Sequence, residues 1–256
     1  MTLAARPEFS VTTVACSDDH TGWSEPEVRD DHRMVLVRRG RFRRWVDGTD
    51  TDLDSTVAYL GSPDEEERFA HPSGGDACTS VGFTPWLWGG LAGGTTVYVD
   101  ARVDLAHRRL LVAAGGGDVD YALTEELLRL VAVAVGRAVE RPGPADRALV
   151  AAAREAIIEG HPESAGLCPL AGLLKVSPYR LSRVFSREMG VSLTHYRNRV
   201  RVGRVMEQLE GGECGLAGLA ADLGFADQAH LTRTVREQLG HTPTALRRLL
   251  APSSRS

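Results

Sequence analysis

Residues 219–243 read LAADLGFADQAHLTRTVREQLGHTP. A short segment rich in Leu and Ala reaches a turn at Gly224, and a polar segment follows that stops at Gly240, before Thr242 and Pro243. Gly adopts the left-handed conformation of a tight turn without steric cost, and Thr followed by Pro is typical of a helix start. The stretch therefore predicts a short helix, a tight turn, a second helix and the start of a third.

The same pattern occurs upstream. Residues 170–197 read LAGLLKVSPYRLSRVFSREMGVSLTHYR, and they align with residues 219–247 when one extra residue is allowed in the second turn. The positions that then coincide are Leu170 and Leu219, Leu181 and Leu231, Arg183 and Arg233, Arg187 and Glu237, and Gly190 and Gly240. Lys175 occupies the position of Gly224, so the first turn is expected to be strained in the left-handed region. Each copy predicts a helix-turn-helix motif.

The polar side chains of the second motif admit two interpretations. They are Gln228, His230, Thr232, Arg233 and Arg236. In one interpretation two helical hairpins pack together and these side chains are simply solvated. In the other the helix lies against an anionic partner. A basic residue at the same position of both copies, Arg183 and Arg233, favours the second interpretation.

Charge is distributed unevenly along the chain, whose net charge is −4. Residues 1–140 carry a net charge of −9, and residues 141–256 carry +5. A basic C-terminal part joined to an acidic N-terminal part indicates a polyanion-binding module attached to something else.

The sequence changes character near ERPGPAD, residues 140–146. Before it, short β-type runs separated by Gly, Pro, Asp and Ser predict a small sandwich or barrel, with strands over residues 10–16, 33–46, 55–60, 77–83 and 95–100. Two helices follow, over about 104–113 and 121–140. The second has a Leu/Val stripe too apolar to face water, so it is expected to pack on its own domain or on a second copy of the chain.

Only helices are predicted after the Pro/Gly junction, over residues 145–159, 166–174, 178–188, 193–209, 216–222, 227–238 and 243–249. The chain is thus expected to have an N-terminal domain over residues 1–140, a linker over 141–145 and a helical domain over 146–256.

Composition excludes several classes of protein. The first ten residues contain no apolar signal-type segment, and no run of 18 apolar residues occurs, so neither secretion nor a membrane span is expected. The four cysteines, Cys16, Cys78, Cys168 and Cys214, are far apart and form no CxxC pair, which favours reduced thiols in the cytoplasm. Hydrolase, metalloprotease, P-loop and dinucleotide-binding motifs are missing, so we expect no enzyme.

Residues 145–250 resemble the DNA-binding domain of the AraC/XylS family of bacterial transcription regulators. The stretch quoted above follows that family's signature almost residue for residue, and residues 170–197 follow its more variable first motif. Two apolar replacements depart from it: Val235 where an aromatic residue is usual, and Leu246 where Tyr is usual. The N-terminal part resembles, less specifically, a cupin-like effector domain, best over residues 31–42 and 68–83.

The resemblance implies an α+β fold: an N-terminal cupin-like β-barrel with two helices, followed by an all-α domain with two helix-turn-helix motifs. It implies a sequence-specific, effector-responsive regulator that inserts two recognition helices into successive major grooves of double-stranded DNA. The partners it implies are RNA polymerase and a small-molecule effector. The apolar stripe of residues 121–140 in addition predicts a homodimer that forms through this helix.

The resemblance also assigns roles to individual residues. Base contacts are expected from Tyr179, Ser182, Arg183, Gln228, Ala229 and Arg233, and backbone contacts from Arg180, Arg187, His230 and Thr232. The helix of residues 195–209 would set the separation of the two grooves, and its arginines, Arg197, Arg199, Arg201 and Arg204, are expected at the surface facing phosphates. The residues expected in the core are Leu181, Val184, Phe185, Leu231, Val235 and Leu239.

The N-terminal domain leaves three alternatives open. It holds a small-molecule pocket, it is a dimerisation scaffold without a ligand, or it uses the cluster Cys16, His20, His32, His71 and Cys78 as a metal or redox site. His71 and Cys78 flank the turn PSGGDA and are the metal candidates, but a cupin metal site normally has a His-x-His pair, which this sequence lacks. No metal or cofactor is therefore assigned. The acidic run of residues 64–67 is expected to be a solvated turn.

Overall fold

The computed structural model describes residues 1–17, 21–84, 96–116, 122–135, 138–139, 144–212 and 215–251. The chain divides into two compact units. The β unit comprises Met1–Val99 and Val131–Arg141, and the helical unit comprises Asp100–Leu130 and Pro142–Ser256. The sequence places the whole of residues 1–140 in one domain, whereas this division groups residues 100–130 with the C-terminal helices.

The strands of the β unit form two antiparallel sheets. They are β1 (Thr2–Arg6), β2 (Phe9–Cys16), β3 (Glu27–Val28), β4 (His32–Arg39), β5 (Phe42–Val46), β6 (Thr49–Leu53), β7 (Val57–Gly61), β8 (Glu66–Ala70), β9 (Asp76–Phe83), β10 (Thr96–Tyr98) and β11 (Ala138–Val139). One sheet has the order β1-β2-β9-β4-β7-β10-β11, and the other has the order β3-β8-β5-β6. The predicted α+β class, β-rich first and helical second, is confirmed.

Apolar side chains fill the interior of the β unit, and Val11, Met34 and Val81 are fully buried. β5 and β6 are joined by Asp47 and Gly48, both with positive φ. A two-residue Asp-Gly turn of this kind matches the right-handed twist of a hairpin. β6 has the sequence TDTDL, whose polar character hides it from a hydrophobicity-based prediction.

The prediction that the acidic run is a solvated turn is wrong for part of that run. Glu66–Ala70 is β8, and Glu67 is buried between two arginines. Its carboxylate lies 2.6 Å from a guanidinium nitrogen of Arg44 and 3.5 Å from one of Arg33. A buried carboxylate needs such partners, and these come from strands more than twenty residues away in the sequence.

The helices are α1 (Ala101–Gly116), α2 (Thr124–Val135), α3 (Pro144–Glu159), α4 (Leu167–Leu173), α5 (Pro178–Met189), α6 (Leu193–Glu210), α7 (Leu216–Asp222), α8 (Gln228–Leu239) and α9 (Pro243–Leu250), with a 3-10 turn at Pro162–Ala165. No strand occurs among the described residues after 144, as predicted. Within the described ranges, none of the helices is long and apolar enough to cross a membrane.

The helix predicted over residues 121–140 is shorter than expected, since α2 ends at Val135 and Ala138–Val139 forms β11. Its apolar stripe is largely covered within a single chain: Leu123, Leu127 and Leu130 are at most 1% exposed. These side chains need no second copy of the chain to remove them from water.

Candidate nucleic-acid interface

The two predicted helix-turn-helix motifs are formed by α4 with α5 and by α7 with α8, and their turns have the same hydrogen bonds. In the first motif the Val176 amide donates to the Ala171 carbonyl at 3.1 Å, and in the second the Phe225 amide donates to the Ala220 carbonyl at 2.9 Å. Because both turns contain the equivalent hydrogen bond, the backbone follows the same path in the two motifs. The duplication seen in the sequence is a duplication of structure.

The residue at the centre of each turn lies in the left-handed region. Gly224 has φ of +70°, and Lys175 has φ of +56°, which confirms the strain expected for the first turn. A residue with a Cβ is disfavoured in this conformation, so the first turn is less stable than the second in its local geometry.

Side chains cap the N-terminus of each second helix. The Ser177 hydroxyl accepts a hydrogen bond from the Arg180 amide at 3.2 Å, and the Asp227 carboxylate accepts one from the His230 amide at 2.6 Å. Both helices end at a left-handed glycine, Gly190 and Gly240. These caps satisfy backbone groups that a helix end leaves without partners, and they fix where each helix starts.

The core of the two motifs is the predicted one. Every residue expected there is buried: Leu181, Val184, Phe185, Leu231, Val235 and Leu239. Phe185 packs edge-on against Tyr196 of α6, with ring centroids 5.1 Å apart. Leu246 is fully buried as well, so both apolar replacements, Val235 and Leu246, lie in the interior of the second motif.

The other faces of α5 and α8 carry the predicted contact residues. Arg180, Arg183, Gln228, Ala229 and Arg233 are exposed. Ser182, His230 and Thr232 are half-buried. The side chain of Tyr179 lies outside the described part of the structure. Arg183 and Arg233 are exposed at the same place on the two helices, each six residues, or between one and two turns, beyond the N-cap.

Two of the predicted backbone-contacting residues already have partners within the chain. Arg187 pairs with Asp146 of α3 and donates to Glu188 at 2.6 Å, and the hydrogen bonds to Glu188 and Asp146 raise the pKa of Arg187. His230 accepts a hydrogen bond from the Ala226 amide through Nδ1 at 3.2 Å. When neutral, its ring therefore carries the proton on Nε2, which leaves that nitrogen as a donor.

The expectation that four arginines of α6 face phosphates is wrong for Arg199. This side chain is 2% exposed, and its guanidinium lies 3.1 Å from the Asp104 carboxylate of α1. A Cβ added to Gly203 would lie 2.6 Å from the same guanidinium, so this glycine in the middle of a helix makes room for Arg199.

The other arginines of α6 are half-buried. The Arg201 guanidinium lies 5.2 Å from the Phe225 ring centroid, at the turn of the second motif. Burial, with repulsion from Arg197 and Arg204, lowers the pKa of Arg201 to about 10. Arg204 donates to the Ile158 carbonyl of α3. Arg201 and Arg204 thus support the packing of α6 with its neighbours.

Sequence reasoning missed that α1 belongs to the core of the second motif. Ala101 and Leu105 pack in one cluster with Val202, Leu231 and Leu246. The periodicity of α1 predicts a helix, but no signal in the sequence identifies its packing partner.

An ion-pair network fixes α1 against α6. Asp104 accepts from Arg108 at 3.0 Å, and Arg108 donates to Glu210 at 2.8 Å. Burial opposes ionisation of Asp104, but Arg199 and Arg108 outweigh it and lower the pKa of this carboxyl to about 2. In the folded protein the Asp104 carboxylate is therefore charged at neutral pH.

In the β unit the structure places only part of the predicted metal or redox cluster together. His71 Nδ1 lies 2.6 Å from the Asp76 carboxylate, to which the Cys78 thiol donates at 2.8 Å. Burial, with the hydrogen bond to Asp76, raises the pKa of the Cys78 thiol well above its usual range. Cys16 of β2 is paired with Asp76 on the neighbouring strand β9.

The other two histidines are not part of this grouping. His32 pairs with Phe83, seven residues along β9 from Asp76, which is roughly 23 Å away along a strand. His20 lies outside the described residues. Asp76 was missed from the sequence because only the strand register brings it opposite Cys16.

Comparison with known proteins gives one family match and several similar structures. Residues 170–249 match the model of a helix-turn-helix domain. The chain is similar to unsaturated fatty acid-bound ToxT from Vibrio cholerae strain SCE256, with 10% identity over 98% of each chain and a TM-score of 0.37. It is similar to the C-terminal domain of AraT, a response regulator from Geobacillus stearothermophilus, with 27% identity over 46% of this chain and 94% of that chain and a TM-score of 0.40.

A third similar structure is a cupin 2 conserved barrel domain protein from Salinispora arenicola CNS-205, with 12% identity, a TM-score of 0.29, and coverage of 34% of this chain and 75% of that chain. No curated protein matches the chain. Residues 170–249, which match the family model and fold into two capped helix-turn-helix motifs, therefore form a helix-turn-helix domain of the AraC type.

Proposed function

We propose that the protein binds specific DNA sequences by placing α5 and α8 in two successive major grooves. The observation that carries this proposal is the repetition, on two helices with matching turns and caps, of an exposed arginine at the same position, Arg183 and Arg233. If these helices were merely solvated, nothing would require an arginine at the same position of both. An arginine in a major groove recognises guanine through two parallel hydrogen bonds.

The length of α6 suits this arrangement. Its 18 residues span about 27 Å, and successive major grooves on one face of DNA are about 34 Å apart. The first motif packs near its start, through Tyr196, and the second near its end, through Val205, Met206 and Leu209. The helix therefore anchors one motif at each end and keeps them apart.

The predicted contact residues divide into two groups by chemistry. Tyr179, Ser182, Arg183, Gln228, Ala229 and Arg233 are proposed to face base edges. Gln228 suits adenine, and the two arginines suit guanine. Arg180, His230 and Thr232 are proposed to bind the phosphate backbone. Arg187 does so only if a phosphate displaces Asp146 or Glu188, so we expect its contribution to be smaller than that of Arg180.

The proposal is tested by selecting binding sites from random duplex DNA with the full chain and footprinting the selected sites. We expect two protected major-groove segments about one helical turn, roughly 10.5 base pairs, apart. The full chain is required because α1 supplies part of the core of the second motif. A single protected segment would overturn reading by two helices, and binding without any selected sequence would overturn specificity.

The β unit is proposed to regulate DNA binding in the cytoplasm through a small-molecule effector, with RNA polymerase as the partner of the DNA-bound protein. If an effector couples to DNA, each must change the affinity for the other by the same factor. Titration of candidate effectors with and without the selected DNA measures that factor. Equal dissociation constants would leave the β unit as a scaffold, which is the alternative function.

A homodimer is the remaining part of the proposal. Leu127 is buried in a single chain, so contact between copies would have to use Leu128, at 47% exposure, or another surface. Sedimentation of the full chain at micromolar concentration measures this directly, and a monomer would remove dimerisation from the proposed mechanism.

A further inference from the structure

Strand pairing gathers sulfur, nitrogen and oxygen ligands at one place in the β unit. Cys16, the last residue of β2, lies opposite Asp76, the first residue of β9. His71 follows β8, and its Nδ1 lies 2.6 Å from the Asp76 carboxylate. Asp76 is buried, whereas Cys16 and His71 are partly exposed. The cluster therefore combines one buried carboxylate with two ligands that are partly exposed.

The spacing of these atoms is close to that of a metal centre. One ligand atom from each of Cys16, His71 and Asp76 lies within 4.8 Å of the other two. Bonds of about 2.0–2.3 Å in a tetrahedral zinc site separate the ligand atoms by roughly 3.3–3.8 Å. To complete such a site, the more distant ligand atoms would have to close by up to about 1 Å, and the His71 Nδ1–Asp76 pair, now 2.6 Å apart, would have to open to about 3.3 Å.

The chemistry of the ligands selects among metals. A thiolate, an imidazole and a carboxylate are all zinc ligands, whereas Mg²⁺ and Ca²⁺ prefer oxygen alone. Three protein ligands leave one tetrahedral position for water or another small ligand. We propose that Cys16, His71 and Asp76 form a Zn²⁺ site with one open position. This proposal does not depend on the proposed DNA-binding function.

A disulfide between Cys16 and Cys78 fits the geometry less well. Cys78 lies two residues beyond Asp76, so the two cysteines are diagonal neighbours across the strand pair. Diagonal neighbours are about 7–8 Å apart, beyond the span of roughly 4.4–6.8 Å between the Cα atoms of a disulfide. Cys78 instead donates to Asp76, and this hydrogen bond orients the carboxylate within the cluster.

Gly75 holds the two sides of the cluster together. A Cβ at this position would lie 2.3 Å from the Cys16 carbonyl oxygen. The backbone before Asp76 can therefore approach the end of β2 only when residue 75 is Gly. Gly75→Ala should move Cys16 away from Asp76 without removing a ligand atom.

The test uses the full chain, purified with chelator and then titrated with Zn²⁺ against a chromophoric zinc indicator. We expect one Zn²⁺ per chain and a rise in the melting temperature, since a ligand of the native state stabilises it by mass action. Cys16→Ser, His71→Asn and Asp76→Asn should each weaken binding by more than about 100-fold, and Cys78→Ala and Gly75→Ala by about 10-fold. Mg²⁺ should have no effect.

Cys168→Ser is the matched control, since Cys168 is an exposed thiol on α4 in the helical unit. It should bind Zn²⁺ like the wild type, and so should Arg233→Ala, which separates this proposal from DNA binding. Melting of each variant in chelator reports whether it still folds. If a folded Cys16→Ser variant retains wild-type affinity, or if Cys168→Ser removes the bound metal, the proposed site is wrong.

Discussion

The two helix-turn-helix motifs have the same backbone but differ in what supports them. The second motif shares its core with α1, through Ala101 and Leu105, and the buried pair of Asp104 and Arg199 joins α1 to α6. The first motif is held by α3, which contributes Asp146 as a partner for Arg187. The difference indicates that a local sequence pattern specifies each motif, whereas residues far away in the sequence determine how strongly the motif is stabilised.

The largest expected effect comes from breaking the buried pair beside the second motif. Arg199→Ala should lower the free energy of unfolding by about 3–5 kcal/mol, because it leaves the Asp104 carboxylate buried with one fewer cation. Urea unfolding of the full chain measures the loss. Arg197→Ala, at a half-buried neighbouring position, is the control and should cost much less. A loss below about 1 kcal/mol for Arg199→Ala would mean that water reaches Asp104.

The same pair predicts an acid-dependent loss of stability. The folded pKa of Asp104, about 2, lies below the value near 3.9 of an unfolded aspartate. Its stabilisation is therefore complete above about pH 4 and is lost as the pH falls from 4 towards 2, with a magnitude of about 2 kcal/mol. Asp104→Asn should remove this part of the pH dependence of unfolding. An unchanged slope between pH 2 and 4 in Asp104→Asn would contradict the assignment.

The substitutions Arg183→Ala and Arg233→Ala compare how much each motif contributes to sequence specificity. Each should weaken binding to a selected site by about 1–3 kcal/mol and relax the preference at one base position, in different halves of the site. Competition of selected and random DNA for the full chain measures both effects. Arg29→Ala, which removes an exposed arginine of the β unit, is the control for net charge.

Equal losses on selected and random DNA would show that the arginine contacts only phosphate. In that case the slope of log affinity against log salt should also become shallower by about one, because one fewer counterion is released.

Sequence predicted most of the helical unit because its signals are local. Gly224, the apolar spacing of α8 and the stop at Gly240 all lie within one stretch, and the structure has each of them as expected. The long-range features could not be predicted in this way. Arg199 reads as a surface arginine until α1 places Asp104 beside it, and Glu67 reads as solvated until Arg44 covers it. The buried charges were missed because their partners are far away in the sequence.

The residues proposed to contact DNA belong neither to the local features that were predicted nor to the long-range features that were missed. The helical period accounts for the exposed ones among them, whereas their division between bases and phosphates comes from the family resemblance. In the β unit, the proximity of Asp76 to Cys16 could not be predicted either, because it depends on the register of β2 and β9. Register is set by packing across the whole sheet and cannot be read from either strand alone.

The smallest expected effect concerns the turns, where Lys175 and Gly224 share one conformation. Lys175→Gly removes a left-handed lysine, which gains about 1–2 kcal/mol in the folded state, but it also loosens the unfolded chain by roughly 0.5–1 kcal/mol. We expect a net gain of up to about 1 kcal/mol, measured by urea unfolding. The mirror change, Gly224→Ala, should cost about 1 kcal/mol or more, because its Cβ would lie 2.9 Å from the Arg201 guanidinium. If Lys175→Gly instead destabilises the protein, the lysine side chain has a stabilising role that outweighs its backbone strain, and the two turns are equivalent in shape but not in energy.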